Sequence, residues 1–201
     1  ANISNSTSNT LIDGSSGADY IENSGYNVTI FAYKGDDTIS NHGNYTGHLY
    51  IDAGKGNDSI YSSINAYYGY ETTINGGEGD DTIYAAGFHS ITSGVGNDFI
   101  SLVYYENTVD AGDGDDTIYI NSYRNKVSAG SGNDFISLTA NATINTVDTG
   151  DDNDTIYSSG RQNSINGGEG NDYIDISSNA SLNTVNAGAG NDTINLQSMA
   201  I

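Results

Sequence analysis

Ten aspartates, Asp19, Asp37, Asp58, Asp81, Asp98, Asp116, Asp134, Asp154, Asp172 and Asp192, recur at intervals of 18, 21, 23, 17, 18, 18, 20, 18 and 20 residues, and an isoleucine follows each one two positions on. A carboxylate can act as acid, base, nucleophile or cation ligand, and here the spacing decides among them. So regular a recurrence means a stack of coils, with one carboxylate returned to the same corner of every coil. A column of like charge needs cations. The chain has no cysteine, so oxygen ligands are the only ones in quantity and hard cations are implied.

A glycine-rich turn precedes each aspartate, and most copies read G-x-G-[ND]-D. The glycine two before the aspartate is missing only where Asp152 replaces it, and the glycine four before fails only at Ser15 and Tyr33. The paired glycines are Gly54 and Gly56, Gly77 and Gly79, Gly94 and Gly96, Gly112 and Gly114, Gly130 and Gly132, Gly168 and Gly170, and Gly188 and Gly190, with Gly150 standing alone. Two glycines alternating with other residues suit a turn that needs positive φ and brings backbone carbonyls close to a ligand. Asp152 tolerates that conformation better than most residues would.

The elements that must hold these turns are short strands. After each aspartate, Ile21, Ile39, Ile60, Ile83, Ile100, Ile118, Ile136, Ile156, Ile174 and Ile194 share one period-2 face, extended two residues on by Leu102, Ile120, Leu138, Ile176 and Leu196. Before each turn, Ile12, Ile30, Ile51, Ile74, Ile91, Val109, Val127, Val147, Ile165 and Val185 supply a facing wall, followed by a small inward residue such as Ala53, Gly76, Ala111, Ala129, Gly167 or Ala187. The expected fold is all-β: two parallel sheets face to face in a solenoid of about ten coils of 17 to 23 residues. Rungs roughly 4.8 Å apart give a rod roughly 45 to 50 Å long. Residues 1–201 form a single domain, with 1–40 the more degenerate coils.

Composition agrees. Twenty-six acidic residues against five basic ones give a formal charge of −21, which makes nucleic acid and anionic membrane poor partners. With 26 glycines, no proline, no tryptophan and 35% hydrophobic residues, the chain suits many tight turns around a thin core. No run is long enough to span a bilayer. The chain opens on Ala1 rather than Met, which fits a processed product or an excised segment.

The segments NGGEGDDTI, DAGDGDDTI, NGGEGNDYI and NAGAGNDTI resemble the G-G-x-G-x-D-x-U-x repeats of RTX, or haemolysin-type calcium-binding, proteins. The resemblance covers essentially the whole chain and keeps one phase through ten copies. It implies a right-handed parallel β-roll or β-solenoid. It also implies Ca²⁺ held between successive coils by the ten aspartates and the turn carbonyls, ordering on secretion into millimolar calcium, and an extracellular or cell-surface location. One departure matters: the glycine-aspartate turn comes once per coil, and the opposite connections (AYYGYE, AAGFH, VYYEN, NSYRN, TANATIN, SSGRQN) share no carboxylate. A single calcium column is therefore expected along one edge, with side chains closing the other. Ten turns offer about nine gaps, and nine divalent ions would add +18 and leave −3. Asp36, Asp80 and Asp115 replace the Asn of other repeats, so tighter binding is expected there. The non-metal reading, a tight turn with stacked Asn and Asp, leaves a costly unneutralised column.

The faces carry further patterns. Tyr61, Tyr84, Phe99, Tyr119, Phe135, Tyr157 and Tyr173 form an outward aromatic stripe, either a ladder that rigidifies the sheet or a face for polysaccharide, another protein or another copy. The other sheet presents Thr73/Asn75, Thr108/Asp110, Thr146/Asp148, Ser164/Asn166 and Thr184/Asn186, an array that resembles the flat threonine faces of ice-binding solenoids, although Lys126/Ser128 interrupts it and no threonine stands between the turn glycines. His42, His48 and His89 read as solvated loop residues, and the serines lack an elbow motif, so the chain itself reads as non-catalytic. Neither end shows a polar cap; Ile194, Leu196 and Ile201 close the chain, so end-to-end assembly into a filament competes with continuation into flanking domains. The expected role is a calcium-stabilised structural or adhesive rod, or else the non-catalytic RTX module of a larger secreted enzyme or toxin.

Overall fold

The computed structural model describes residues 1–42, 47–63 and 72–197. The connection AYYGYE and Ile201 lie outside the described residues. Among the described residues, twenty-one strands form two parallel sheets, and in each sheet every strand pairs with the one a full coil away. The ten strands that follow the aspartates, preceded by Asn2–Asn5, make the eleven-stranded sheet, which runs from Asn2–Asn5 and Tyr20–Asn23 through Phe99–Leu102 and Thr117–Ile120 to Thr193–Leu196. Those that precede the turns make the ten-stranded sheet, from Thr10–Ser15 through His89–Val95 and Thr108–Asp113 to Thr184–Asn186.

Register follows from side-chain identity. Ile83, Ile100, Ile118 and Ile136 stack directly on one another in the first sheet, and Ile74, Ile91, Val109 and Val127 in the second. A slip of one residue would turn every isoleucine outward, so the burial of these columns fixes the pairing. The inward residues are buried from Ile12 to Ile176, whereas Ile194 (45% exposed) and Leu196 (70% exposed) lie open on the last coil.

The edge opposite the glycine turns is closed by an amide spine. Asn5 Nδ2 donates to Asn23 Oδ1 and Asn23 Nδ2 to Asn41 Oδ1, each at 2.7 Å. Farther along, the spine moves to the start of the other sheet, where both the backbone N–H and Nδ2 of Asn107 donate to Asn125 Oδ1 at 2.9 Å, and Asn125 and Asn145 repeat the pattern on Asn145 and Asn163. From Asn23 on these amides are buried, and the ladder engages them except at Asn41, whose Nδ2 has no partner. His89 occupies the same column and corrects its reading as a solvated residue. It is 2% exposed, its backbone N–H donates to Asn107 Oδ1, and Nε2 meets Ser62 Oγ at 2.9 Å. His42 and His48 are exposed.

Candidate metal centre

The glycine turns stack on the other edge. Gly112 and Gly114 take φ of +108° and +136°, and a Cβ on either would come within 2.1 Å of the carbonyl oxygen of Gly94 or Gly96 in the coil before. Both positive φ and this close approach exclude other residues. Asp152 adopts φ of +77° in the one turn without the second glycine. In the first coils, Tyr33 takes φ of +79° at a glycine position.

Each turn delivers its aspartate into the coil interior. Asp37, Asp58, Asp81, Asp98, Asp116, Asp134, Asp154 and Asp172 are at most 2% exposed, with Asp19 at 4%. Every one of these nine from Asp19 to Asp172 donates its backbone N–H to Oδ1 of the next aspartate in the column, at 2.7 to 3.0 Å. The other oxygen, Oδ2, is buried without a hydrogen-bond partner at Asp37, Asp58, Asp81, Asp98, Asp116, Asp134, Asp154 and Asp172.

In the coils with glycine before the turn, a further acceptor lies near that oxygen, whereas Ala53, Ala111 and Ala129 put a Cβ at the same position. The point that a Gly76 Cβ would occupy lies 2.4 Å from Asp81 Oδ2 and 2.6 Å from the Ser93 carbonyl oxygen of the next coil; at Gly167 the corresponding pair is Asp172 Oδ2 and the Ala187 carbonyl. In these glycine coils the two buried acceptors repel unless a cation joins them, whereas at Asp98 and Asp154 the Ser93 and Thr149 hydroxyls donate to the Ala111 and Gly167 carbonyls. The carbonyl beside the carboxylate thus belongs to the residue before the first glycine, a position that the sequence marked only as small and inward. By contrast, the Gly150 and Gly168 carbonyls already accept the N–H of Glu169 and Ala189 at 2.8 and 2.7 Å.

The electrostatics follow. Burial, reinforced by neighbouring carboxylates, pushes Asp58, Asp81 and Asp116 up to about 7, Asp134 to about 8 and Asp154 to about 6, and raises Asp37, Asp98 and Asp172. The Ser93 hydroxyl opposes this at Asp98 and that of Thr149 at Asp154. Asp19 departs from the column. The Ala1 ammonium and the Ser15 hydroxyl bond its carboxylate and hold it below the usual range. Among the described residues no three His, Cys, Asp or Glu side chains converge, so a cation here would draw much of its shell from backbone carbonyls. A chain of oxygen donors with orphaned, anionic members fits a hard divalent ion of six to eight ligands.

The RTX calcium-binding nonapeptide repeat model matches residues 13–43, 50–64, 70–89, 92–122, 119–140, 148–175 and 176–197. The chain belongs to that family. It is a calcium-binding RTX β-solenoid, and the matched segments carry all ten aspartates. No curated protein matches the RTX rod significantly. Among solved structures it is similar to a hyperactive, Ca²⁺-dependent, β-helical antifreeze protein from an Antarctic bacterium, at 24% identity and a TM-score of 0.67 over 90% of this chain. The RTX rod spans 65% of that structure's length.

The aspartates that stand in place of Asn are turned differently from the column. Asp36, Asp80 and Asp115 are exposed, and each Oδ1 accepts the backbone N–H of the residue one coil on: Asn57, Asn97 and Asn133. They add negative potential to the buried aspartates beside them. The aromatic stripe is continuous from Tyr84 to Tyr173, with successive ring centroids 5.5 to 6.1 Å apart.

Proposed function

We propose that the protein is a non-catalytic extracellular rod, ordered by a single file of Ca²⁺ along its glycine-turn edge, with a structural or adhesive role. The observation that carries the ion file is the row of eight buried carboxylate oxygens without a donor. Asp37, Asp58, Asp81, Asp98, Asp116, Asp134, Asp154 and Asp172 would each hold an ion toward the following coil. Asp19 provides a ninth and weaker site, because the Ser15 backbone N–H and hydroxyl already engage its carboxylate. Asp192, with no coil beyond it among the described residues, completes the last gap from one side. Nine ions leave a formal charge of −3, low enough for the coils to pack without mutual repulsion. The thin core cannot offset the ordering entropy of each coil unaided, so ion binding contributes to folding. Dialysis into excess EDTA at neutral pH tests this: the β-sheet circular dichroism should collapse and return with Ca²⁺, and an unchanged spectrum without metal would overturn it.

Association would use two surfaces, the aromatic stripe and the open last coil with Ile194 and Leu196. Electron microscopy of the calcium-loaded chain at high concentration should show end-to-end filaments. Monomeric rods only would favour the second reading, in which a following segment of a longer secreted enzyme or toxin covers that coil. A minor reading is ice binding, favoured by one observation: Thr73, Ser90, Thr108, Thr146, Ser164 and Thr184 align in register on one face, broken by Lys126. Thermal hysteresis of the loaded protein tests it, and its absence removes that reading.

A further inference from the structure

We infer that a groove on the ten-stranded sheet, near the N-terminal end, is a binding subsite for a neutral saccharide. Three residues there depart from the repeat at neighbouring positions. Phe31 stands in register between Asp13 and Asp52, and Tyr50 between Thr29 and Thr73, so aromatic rings replace polar residues on an outward face. Tyr33 takes a glycine position at φ of +79°, a backbone conformation that disfavours a residue bearing a Cβ. The three rings converge: Phe31 stacks on Tyr33 at 6.1 Å and meets Tyr50 at 5.8 Å, while the Tyr33 hydroxyl donates to Asp13 at 2.9 Å. Tyr33 remains 50% exposed and Tyr50 36%, so the rings stand open to solvent.

Beside these rings the groove encloses about 580 Å³, within the range of small-ligand sites. Gly54 and Gly77 belong to its lining. One wall is the Asp52 carboxylate, held by Asn75 Nδ2 at 3.1 Å, and the other is the Lys55 ammonium paired with Glu78 Oε2 at 2.6 Å. A pyranose has an apolar C–H face and a rim of hydroxyls that both donate and accept. An aromatic platform flanked by carboxylates, an amide and an ammonium complements both parts. Two carboxylates against one ammonium repel an anionic sugar, and Lys55 already supplies the cation that the acids would otherwise recruit. The groove needs only an ordered rod, whatever the rod's biological role, and it lies on the sheet opposite the aromatic stripe.

Affinity electrophoresis of the calcium-loaded chain through gels containing a neutral glucan, xylan, mannan or soluble chitin derivative, with alginate as the anionic arm, tests the assignment. At least one neutral polysaccharide should retard the protein. The triple variant Phe31→Ser, Tyr33→Gly, Tyr50→Thr takes residue types found at the same positions in other coils, so it should keep its calcium-dependent circular dichroism while losing about tenfold or more in affinity. Tyr50→Thr alone should weaken binding in the same direction, whereas Tyr84→Ser, Tyr119→Ser and Tyr157→Ser on the other sheet should leave it unchanged. Retardation by no neutral polysaccharide, retardation by alginate alone, or full affinity in the triple variant would overturn the inference.

Discussion

The backbone N–H of Asp98 donates to Oδ1 of Asp116, one coil on, at 2.8 Å. One residue away the polarity reverses, and the N–H of Asp115 donates back to Oδ1 of Asn97 at 2.8 Å. Adjacent columns therefore tie each coil both forward and backward. In the buried column the other carboxylate oxygen has no donor from Asp37 to Asp172.

Asp116→Asn separates these two tasks. The amide oxygen can still accept from Asp98, so the hydrogen bond survives, while the charge is lost. Bound calcium, measured by elemental analysis after gel filtration in limiting Ca²⁺, should fall by at least one ion per chain, with weaker affinity in the flanking gaps. An unaltered count would remove Asp116 from the ligand set.

Gly112→Ala places a Cβ about 2.1 Å from the Gly94 carbonyl at φ of +108°. Strain at such a backbone alone is worth about 1–3 kcal/mol, and the clash adds to it. The calcium-loaded thermal midpoint should drop clearly, and more than for alanine at Gly17, where a Cβ would meet nothing within 4 Å.

Acid should partly replace the metal. Buried Asp58, Asp81, Asp116, Asp134 and Asp154 carry folded-state values of about 6 to 8 against an ordinary 3.8. A raised carboxyl pKa means the folded chain binds more protons than the unfolded one, so metal-free stability is highest below about pH 4 and is lost as pH rises toward 8. His89 works the other way: burial lowers it from 6.5 to about 3, so its contribution is lost as pH falls through that window. Several carboxyls outweigh one imidazole. In EDTA the β-sheet signal should be stronger at pH 5 than at pH 8, and His89→Asn should enhance the gain. A metal-free signal that weakens on acidification would refute the burial argument.

Asn125→Ala tests the opposite edge. It removes the acceptor for two bonds from Asn107 and strands the backbone N–H, while Nδ2 keeps its bond to the Tyr104 carbonyl, at a cost of about 1–3 kcal/mol. The denaturation midpoint should fall while the number of bound calcium ions stays the same, because this spine lies on the far side of the coil from the aspartates.

The period of the chain was legible because a solenoid folds by local rules. Each coil buries the same isoleucine and needs the same glycines, so Ile118 or Gly112 could be placed from spacing alone. The aspartate column was legible for the same reason. The amide spine also left a signal, since Asn107, Asn125, Asn145, Asn163 and Asn183 keep the repeat spacing, but it was obscured because the role passes from Asn23 and Asn41 to a different position in the coil. His89 was misread because its loop-like neighbours gave no hint that it begins a strand and turns inward.

By itself, then, the sequence determined the coil, its register and the corner that carries charge, because periodicity and side-chain burial act within a single repeat. Only the tertiary structure decided which oxygen of each aspartate is already used, which carbonyl stands beside the other, and that Phe31 and Tyr33 line one groove with Tyr50 against Phe31. Those relations lie between coils, where residues about 20 positions apart become neighbours only after the chain has stacked.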